Sequence, residues 1–335
     1  MPERPLALFA MSAENPPKLL PSGVLARLRA SVDIDPTLVA EDFRDPRVRR
    51  ALGEAEILIT GWGCPPLDAA VLEAAPKLRA VLHTAGSVKG LITPGCWDRG
   101  LIVSSAADAN ALPVAEYTLG MILLAGKDLF AARDRYRDAR TFTLAEVIPG
   151  IGNFGRRIGV VGASRIGRRV IELLRPFDFR VALADPYVDA AGAAELGVTL
   201  VGLAELMRTS DIVTVHAPAT AETDRLIGRR ELALMPDDAV LINTARGSLV
   251  DTPALVEELR TGRISAVLDV TDPEPLDPDS ALFDLPNAFL TPHIAGSQGN
   301  ELHRLGLCAV EELERLLRGL PLSHRIERAE LERAA

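Results

Sequence analysis

Three short segments carry polar side chains suited to carbonyl chemistry, each just after an apolar run. Residues 243–251, Asn-Thr-Ala-Arg-Gly-Ser-Leu-Val-Asp, present Arg246. Residues 268–275, Leu-Asp-Val-Thr-Asp-Pro-Glu-Pro, hold Glu274 between two prolines, and residues 291–297, Thr-Pro-His-Ile-Ala-Gly-Ser, present His293. Arginine is permanently charged, and its planar fork pairs with a carboxylate through two hydrogen bonds. Histidine exchanges a proton near neutral pH, and a carboxylate beside it orients the ring and favours its charged form. Alone, each has a plainer reading: an arginine capping its loop or pairing with Asp251, a solvated loop acid, a structural histidine. Together they supply what hydride transfer to a 2-oxo acid needs. Arg246 would bind the carboxylate, His293 would protonate the carbonyl oxygen and Glu274 would hold the imidazole. The other histidines fit less well. His303 falls in a helical stretch and His324 in the tail. His83 and His216 end apolar runs, and His216, in Val-His-Ala-Pro, suits a turn that lines a cofactor.

A hydride needs a carrier, and residues 156–185 are patterned for one. The apolar run 158–161 breaks into Gly162-Ala163-Ser164-Arg165-Ile166-Gly167, a helical pattern follows to residue 174, and a second run, 181–184, ends on Asp185. Such a turn aims backbone N–H groups and a helix N-terminus at a pyrophosphate. The acid at the second strand end accepts ribose hydroxyls and repels a 2′-phosphate, which favours NAD over NADP. The departure is Ser164, which stands at the second glycine of the fingerprint. Its Cβ narrows the approach to the backbone, while its hydroxyl offers a donor to a phosphate.

The elements that must position these groups alternate along the chain. Strand patterns fall at 6–10, 57–60, 81–83 and 101–104, with helical patterns at 24–28 and 67–75. After Asp185, strands are expected at 211–215, 239–243, 266–270 and 288–291, with helices at 203–208, 229–235 and 252–260. Alternation of this kind predicts an α/β protein with parallel, doubly wound sheets and ligands at the carboxyl ends of the strands. Pro113 is expected to open a long helix to about residue 135, followed by an irregular arm over 140–155. A helix over 298–317, capped by Gly319, returns to the first domain, and the charged tail 325–335 is expected to fray. Two domains result: 1–110 plus 298–335, and 111–297.

Composition narrows the function further. The net charge of −9 argues against nucleic acid or an anionic membrane as the main partner. Cys64, Cys96 and Cys308 are widely spaced, so neither a disulfide framework nor a metal site is expected, and a cytoplasmic setting fits. The start of the chain has too short an apolar core for a signal peptide. The most apolar helical stretch, 117–125, is too short to cross a bilayer.

In its ordered blocks the sequence resembles the D-isomer-specific 2-hydroxyacid dehydrogenases. The blocks are VVGASRIGRRV, ADPY, DIVTVHAPATAETDRLI, LINTARGSLVD, AVLDVTDPEPL and LTPHIAGS, with VAEYTLGMILL ahead of them. The resemblance runs from about residue 80 to 297. It implies a Rossmann NAD-binding domain, a discontinuous flavodoxin-like substrate domain and a catalytic trio of Arg246, Glu274 and His293. It implies cofactor contacts from Gly162, Ser164, Arg165, Ile166 and Gly167 at the pyrophosphate, Asp185 at the adenosine ribose, and His216, Ala217, Pro218 and Thr223 on the adenosine side. Thr244 and Asp269 would hold the nicotinamide carboxamide, and Ala245 and Gly296 would add further cofactor contacts. A homodimer embraced by the Pro113 helix and its arm is also implied.

The substrate side departs from the family. Members usually carry a loop of the type G-x-G-x-D whose amides bind the substrate carboxylate. The stretch here, residues 83–90, keeps Gly86 but neither the second glycine nor the Asp, and offers Ser87 and Lys89 instead. Amides at Gly86 and Ser87 remain available, and Lys89 suits a second anionic group or simply solvent. Trp62 and Trp97 either shape the pocket or anchor packing. Which 2-hydroxy acid is used stays open. Formate or phosphite oxidation ranks low, since the added elements of those enzymes are not found. The other reading is an NAD(H)-sensing dimeric regulator like the corepressors of this superfamily, without important turnover.

Overall fold

The structure, a computed structural model, describes residues 4–141 and 151–331. It divides into two compact units, Met1–Ala111 with Ser297–Ala334, and Leu112–Gly296. In the first, β1 (Ala7–Ala10), β2 (Ile57–Thr60), β3 (Ala80–His83) and β4 (Ile102–Ser105) form a parallel sheet in that order. These strands are almost wholly buried, as expected when helices cover both faces of a parallel sheet. Successive β2 residues serve opposite cores: Leu58 packs with Val48 and Leu52, while Ile57 and Ile59 pack with Phe9 and Leu28. The covering helices are α1 (Asn15–Leu19), α2 (Ser22–Ser31), α3 (Pro46–Glu54), α4 (Ala69–Ala74) and α5 (Pro94–Asp98). After α2 the chain lies along the free side of β1, through parallel bridges Leu6↔Asp33 and Phe9↔Val39, before crossing to β2. The winding therefore reverses at β1.

The long helix corrects the expectation about Pro113. α6 spans Ala107–Gly126 with Pro113 inside it, starting directly after β4. Its 20 residues also exceed the short apolar stretch read from sequence, and by length and composition alone it could cross a bilayer. Its packing is that of a core helix, with Ala115, Ile122 and Ala125 buried against Ile158 and Val160. It stops well short of residue 135: Asp128 takes a left-handed φ of 50°, and a separate helix, α7 (Leu129–Ala139), follows with no buried residue. Most of the expected arm, residues 142–150, lies outside the described residues. The part beyond it is tied to α6, with Gly152 N–H on the Gly126 carbonyl at 2.7 Å and the Asn153 amide on that of Leu123 at 3.1 Å.

The second unit is a seven-stranded parallel sheet. The chain runs β5 (Arg157–Val161), α8 (Arg165–Leu174), β6 (Arg180–Ala184), α9 (Ala190–Leu196), β7 (Thr199–Leu200), α10 (Leu203–Thr209), β8 (Ile212–Val215), α11 (Arg229–Leu234), β9 (Val240–Asn243), α12 (Thr252–Arg260), β10 (Ser265–Leu268) and β11 (Ala288–Leu290). In space the order is β11-β10-β9-β8-β5-β6-β7. Direction reverses between β5 and β8, and it is at the carboxyl ends beside such a reversal that open α/β sheets bind their ligands.

The chain then returns to the first unit as α13 (Leu302–Leu317), whose Leu305, Ala309 and Leu313 join the core of α2 and β2, with Gly319 at φ 66° just past its end. The described part of the tail, residues 325–331, packs instead of fraying as expected, and residues 332–335 lie outside the described residues. Arg325 bridges Ser104 antiparallel, Ile326 N–H donates to the Val103 carbonyl at 2.8 Å, and α14 (Arg328–Leu331) follows. Buried Glu312 on α13 fixes this return by accepting the amides of Ser323 and His324, each at 3.0 Å.

Two strand-end histidines make stability depend on pH. Burial drives the His83 pKa down to about 4, partly opposed by the Ser87 backbone, and burial drives His216 down to about 3. The unfolded chain binds protons at these residues below about pH 6.5 while the folded chain does not, so stability falls as pH drops from there. The slope is up to about 1.4 kcal/mol per pH unit for each histidine. We expect the denaturant midpoint to fall between about pH 6.5 and 4, and His216→Asn to flatten that fall. An equal slope in the variant would assign it elsewhere.

Candidate active site

The dinucleotide turn is built by close packing. Gly162, at φ 95°, ends β5, and a Cβ there would meet Ala217 N at 2.6 Å. On Gly167 a Cβ would lie 2.1 Å from the Gly162 carbonyl oxygen, so only glycine lets α8 approach the turn. Ser164 has φ −62° and needs no glycine. Its Oγ accepts the Gly167 amide at 3.3 Å and so caps α8, a role a glycine side chain cannot fill. Among the described residues, the amides of Ser164 and Ile166 make no hydrogen bond. With exposed Arg165 between them, this is a cradle for an anion at a helix N-terminus. Asp185 locks the turn to the end of β6, taking the Ala163 amide on Oδ2 at 2.6 Å and the Tyr187 amide on Oδ1 at 2.7 Å.

The loop after β8 lies against this turn. His216 N–H donates to the Val161 carbonyl at 2.7 Å, its Nε2 meets the Thr214 hydroxyl at 2.9 Å, and its buried Nδ1 has no hydrogen-bond partner among the described residues. Ala217 is buried and Pro218 half-buried, and Thr223 closes the loop by donating to the Pro218 carbonyl at 2.6 Å. The glycine cradle and the unpartnered Nδ1 beside it fit a bound dinucleotide. Gly167→Ala is expected to weaken NADH binding at least about tenfold, roughly 1.4 kcal/mol or more. Fluorescence titration with NADH checks this, and unchanged affinity would move the cofactor elsewhere.

The expected trio comes from three strand ends of this same sheet. After β9, the Asn243 side chain braces the loop, its amide N–H donating to the Arg246 carbonyl at 2.8 Å and its oxygen accepting the Ala245 amide at 3.0 Å. A Cβ on Gly247 would lie 2.0 Å from the Thr271 carbonyl, so the Arg246 loop packs directly on the segment leading to Glu274. Half-buried Arg246 spends one donor on the Ala245 carbonyl at 2.6 Å, and its guanidinium makes no other hydrogen bond or ion pair among the described residues. The plainer pairing with Asp251 is not made. Asp251 instead caps α12 through the Ala254 amide.

His293 Nδ1 is hydrogen-bonded to Glu274 Oε1, and both side chains are about half exposed. With Nδ1–H given to the carboxylate, Nε2 is the nitrogen left to face a ligand. His293 sits at φ 54°, a left-handed conformation that histidine tolerates better than most residues. It is held there by its N–H on the carbonyls of Asp269 at 2.9 Å and Thr291 at 3.0 Å. Buried Asp269 takes the Thr291 hydroxyl at 2.6 Å and the Ile294 amide at 2.8 Å on Oδ1, and the Ala295 amide at 2.8 Å on Oδ2. Gly296 follows at the end of the unit. Thr244 is buried, its hydroxyl 3.0 Å from that of Thr118.

The expected substrate loop belongs to the first unit, after β3. Counting from Gly86 corrects the placing of Ser87 at the pattern's second glycine and Lys89 at its Asp: those positions fall on Val88, which is buried, and on Gly90, which has φ 79°. Ser87 Oγ is occupied by the Lys89 amide at 3.3 Å. The amides of Gly86, Ser87 and Val88 make no hydrogen bond among the described residues, and the exposed Lys89 ammonium makes no ion pair. Trp62 is exposed at the end of β2, while Trp97 packs against the core of α4 and β2. His303 is exposed on α13. His324 pairs with Asp108 at 2.8 Å, a tie across the first unit that sequence spacing does not reveal.

A parallel sheet with this crossover, glycine turn and acid defines a dinucleotide-binding α/β protein. The comparisons give the family. The model for the NAD-binding domain of the D-isomer specific 2-hydroxyacid dehydrogenases matches residues 119–295. A D-3-phosphoglycerate dehydrogenase of Methanocaldococcus jannaschii is 32% identical over 287 residues, 84% of this chain and 53% of that protein. A glyoxylate reductase of Korarchaeum cryptofilum is 34% identical over 258 residues, 76% of this chain and 77% of the relative. A phosphoglycerate oxidoreductase from Rhizobium etli superposes with a TM-score of 0.83 at 25% identity, covering 97% of this chain and 99% of that one. The chain belongs to the D-isomer specific 2-hydroxyacid dehydrogenases, and NAD(H) is its cofactor. It spans about half the length of the phosphoglycerate dehydrogenases it matches.

Proposed function

We propose that this protein is an NAD-dependent D-2-hydroxyacid dehydrogenase, interconverting a 2-oxo acid and a D-2-hydroxy acid. The observation that carries the reading is the Glu274–His293 pair, set on the same sheet as the glycine turn and as an arginine with unspent donors. Bound NADH supplies the hydride. Arg246 takes the substrate carboxylate, and His293 Nε2 gives its proton to the carbonyl oxygen. Glu274 holds the ring through Nδ1 and stabilises its charged form. Gly162, Ser164, Arg165, Ile166 and Gly167 cradle the pyrophosphate, and Asp185 takes the adenosine ribose. His216, Ala217, Pro218 and Thr223 border the adenosine, with Thr244, Ala245, Asp269 and Gly296 at the nicotinamide. Asp269 Oδ2 has accepted a single hydrogen bond, which leaves it an acceptor position for the carboxamide.

The unspent amides at Gly86 and Ser87 supply further donors for the carboxylate, and Lys89 favours a substrate with a second anionic group. The protein works in the cytoplasm, in keeping with its free cysteines. It acts as a homodimer, whose second copy covers α7 and the exposed Leu129, Tyr136 and Phe154.

Following NADH loss against neutral, dicarboxylic and phosphorylated 2-oxo acids tests the reading. Turnover is expected, with Lys89→Ala raising KM most for the doubly anionic substrates. Tight NADH binding without turnover on any of them would replace the enzyme by a nicotinamide-sensing regulator.

A further inference from the structure

The catalytic loops do not stand unaided, and two consecutive residues of α6 reach both of them. The Tyr117 hydroxyl lies 2.7 Å from the Thr291 Oγ1, and the Thr118 Oγ1 lies 3.0 Å from the Thr244 Oγ1. Both bonds have a definite direction. The Asp269 carboxylate only accepts, so Thr291 donates its proton there, and the Tyr117 phenol must donate to Thr291. Thr118 donates to the Val114 carbonyl at 2.8 Å, so Thr244 must donate to Thr118.

Each chain ends on a loop that bears a catalytic group. From Tyr117 it passes through Thr291 to Asp269, which holds the amides of Ile294 and Ala295 directly after His293. The left-handed His293 backbone is a sparsely populated conformation that persists only where its surroundings over-determine it. The orientation of the Asp269 carboxylate is part of that constraint. From Thr118 the second chain reaches Thr244, two residues ahead of Arg246. Adjacent helix residues point about 100° apart, which lets one turn of α6 serve two separate strand ends. Burial raises the Tyr117 pKa, as does the Asp269 charge, while the Thr291 hydrogen bond lowers it, and the net rise keeps the phenol a donor at neutral pH.

We propose that Tyr117 and Thr118 are positioning residues, a clamp by which α6 sets the His293 and Arg246 loops for turnover. This rests on the catalytic reading above.

Tyr117→Phe and Thr118→Val in the full chain test it, with Thr118→Ser as the conservative control. Amide exchange followed by mass spectrometry reads the loops without needing activity. Segments 243–249 and 291–297 are expected to exchange faster in the respective variants, at an unchanged global denaturation midpoint. kcat should fall about 3- to 30-fold, below the roughly 10²-fold cost of an ångström of misplacement, while NADH affinity stays within about twofold. Thr118→Ser should restore both. Wild-type exchange and kcat in the variants would overturn the clamp, and so would exchange that rises evenly over the whole chain. If the wild-type protein reduces no 2-oxo acid, the catalytic reading fails separately. Faster loop exchange would then still establish the anchor, and unchanged exchange would remove it.

Discussion

Replacing His293 by asparagine is expected to lower kcat by about 10²–10⁴-fold, the usual worth of a positioned general acid. Asparagine is the informative substitution because the backbone at this position has φ 54°, and asparagine accepts the left-handed region readily. The loop should survive, since its hydrogen bonds to Asp269 come from the backbone of residues 293–295. What disappears is a group that can carry a proton. Glu274→Gln keeps a partner for Nδ1 but removes the charge opposite the imidazolium, so its loss should be smaller than that of the histidine variant. Rapid kinetics at saturating substrate, with NADH binding measured in parallel, separates these effects. A His293→Asn protein with near wild-type kcat would dismiss His293 as the proton donor.

The second large effect is expected at Arg246. Its replacement by glutamine should reduce kcat/KM for 2-oxo acids by about 30- to 5,000-fold, the range set by 2–5 kcal/mol for truncating a desolvated, hydrogen-bonded charge pair. Both KM and kcat should suffer, because the carboxylate is held in the ground state and in the transition state. Lysine should restore little, since a point charge does not reproduce the fork. The loop itself should not collapse, because Asn243 braces it from both sides and Gly247 seats it on Thr271. Substrate-independent loss of NADH affinity in this variant would relocate Arg246 to the cofactor.

How legible the molecule was depends on where each signal resides. Four-residue apolar runs such as residues 57–60 became strands because both sheet faces exclude water, and that burial is written in composition. β7 escaped notice because its two residues, Thr199 and Leu200, are only partly covered and show no periodicity. Pro113 misled about the start of α6, since proline's preference for the first turn is weaker than the packing that begins the helix at the end of β4. Charge alone predicts a frayed tail, though Ile326 is buried and paired with β4. At the site, residue types nominate Arg246, Glu274 and His293, but only the fold shows that Glu274 meets Nδ1 and not Nε2. Ser164 looked like a flaw in the turn because a regular pattern cannot distinguish a missing glycine from a helix cap. The Tyr117 and Thr118 contacts span 174 and 126 residues, which no local pattern can encode.

The reaction proposed is direct hydride transfer to the C2 of a 2-oxo acid. NADH deuterated at the transferable C4 position, incubated with the full chain and the best 2-oxo acid, tests it in one product analysis. One deuterium is expected at C2 of a D-2-hydroxy acid, with the label absent when His293→Asn replaces the wild-type protein for the same time. A product of L configuration, or one whose C2 hydrogen comes from water, would contradict it.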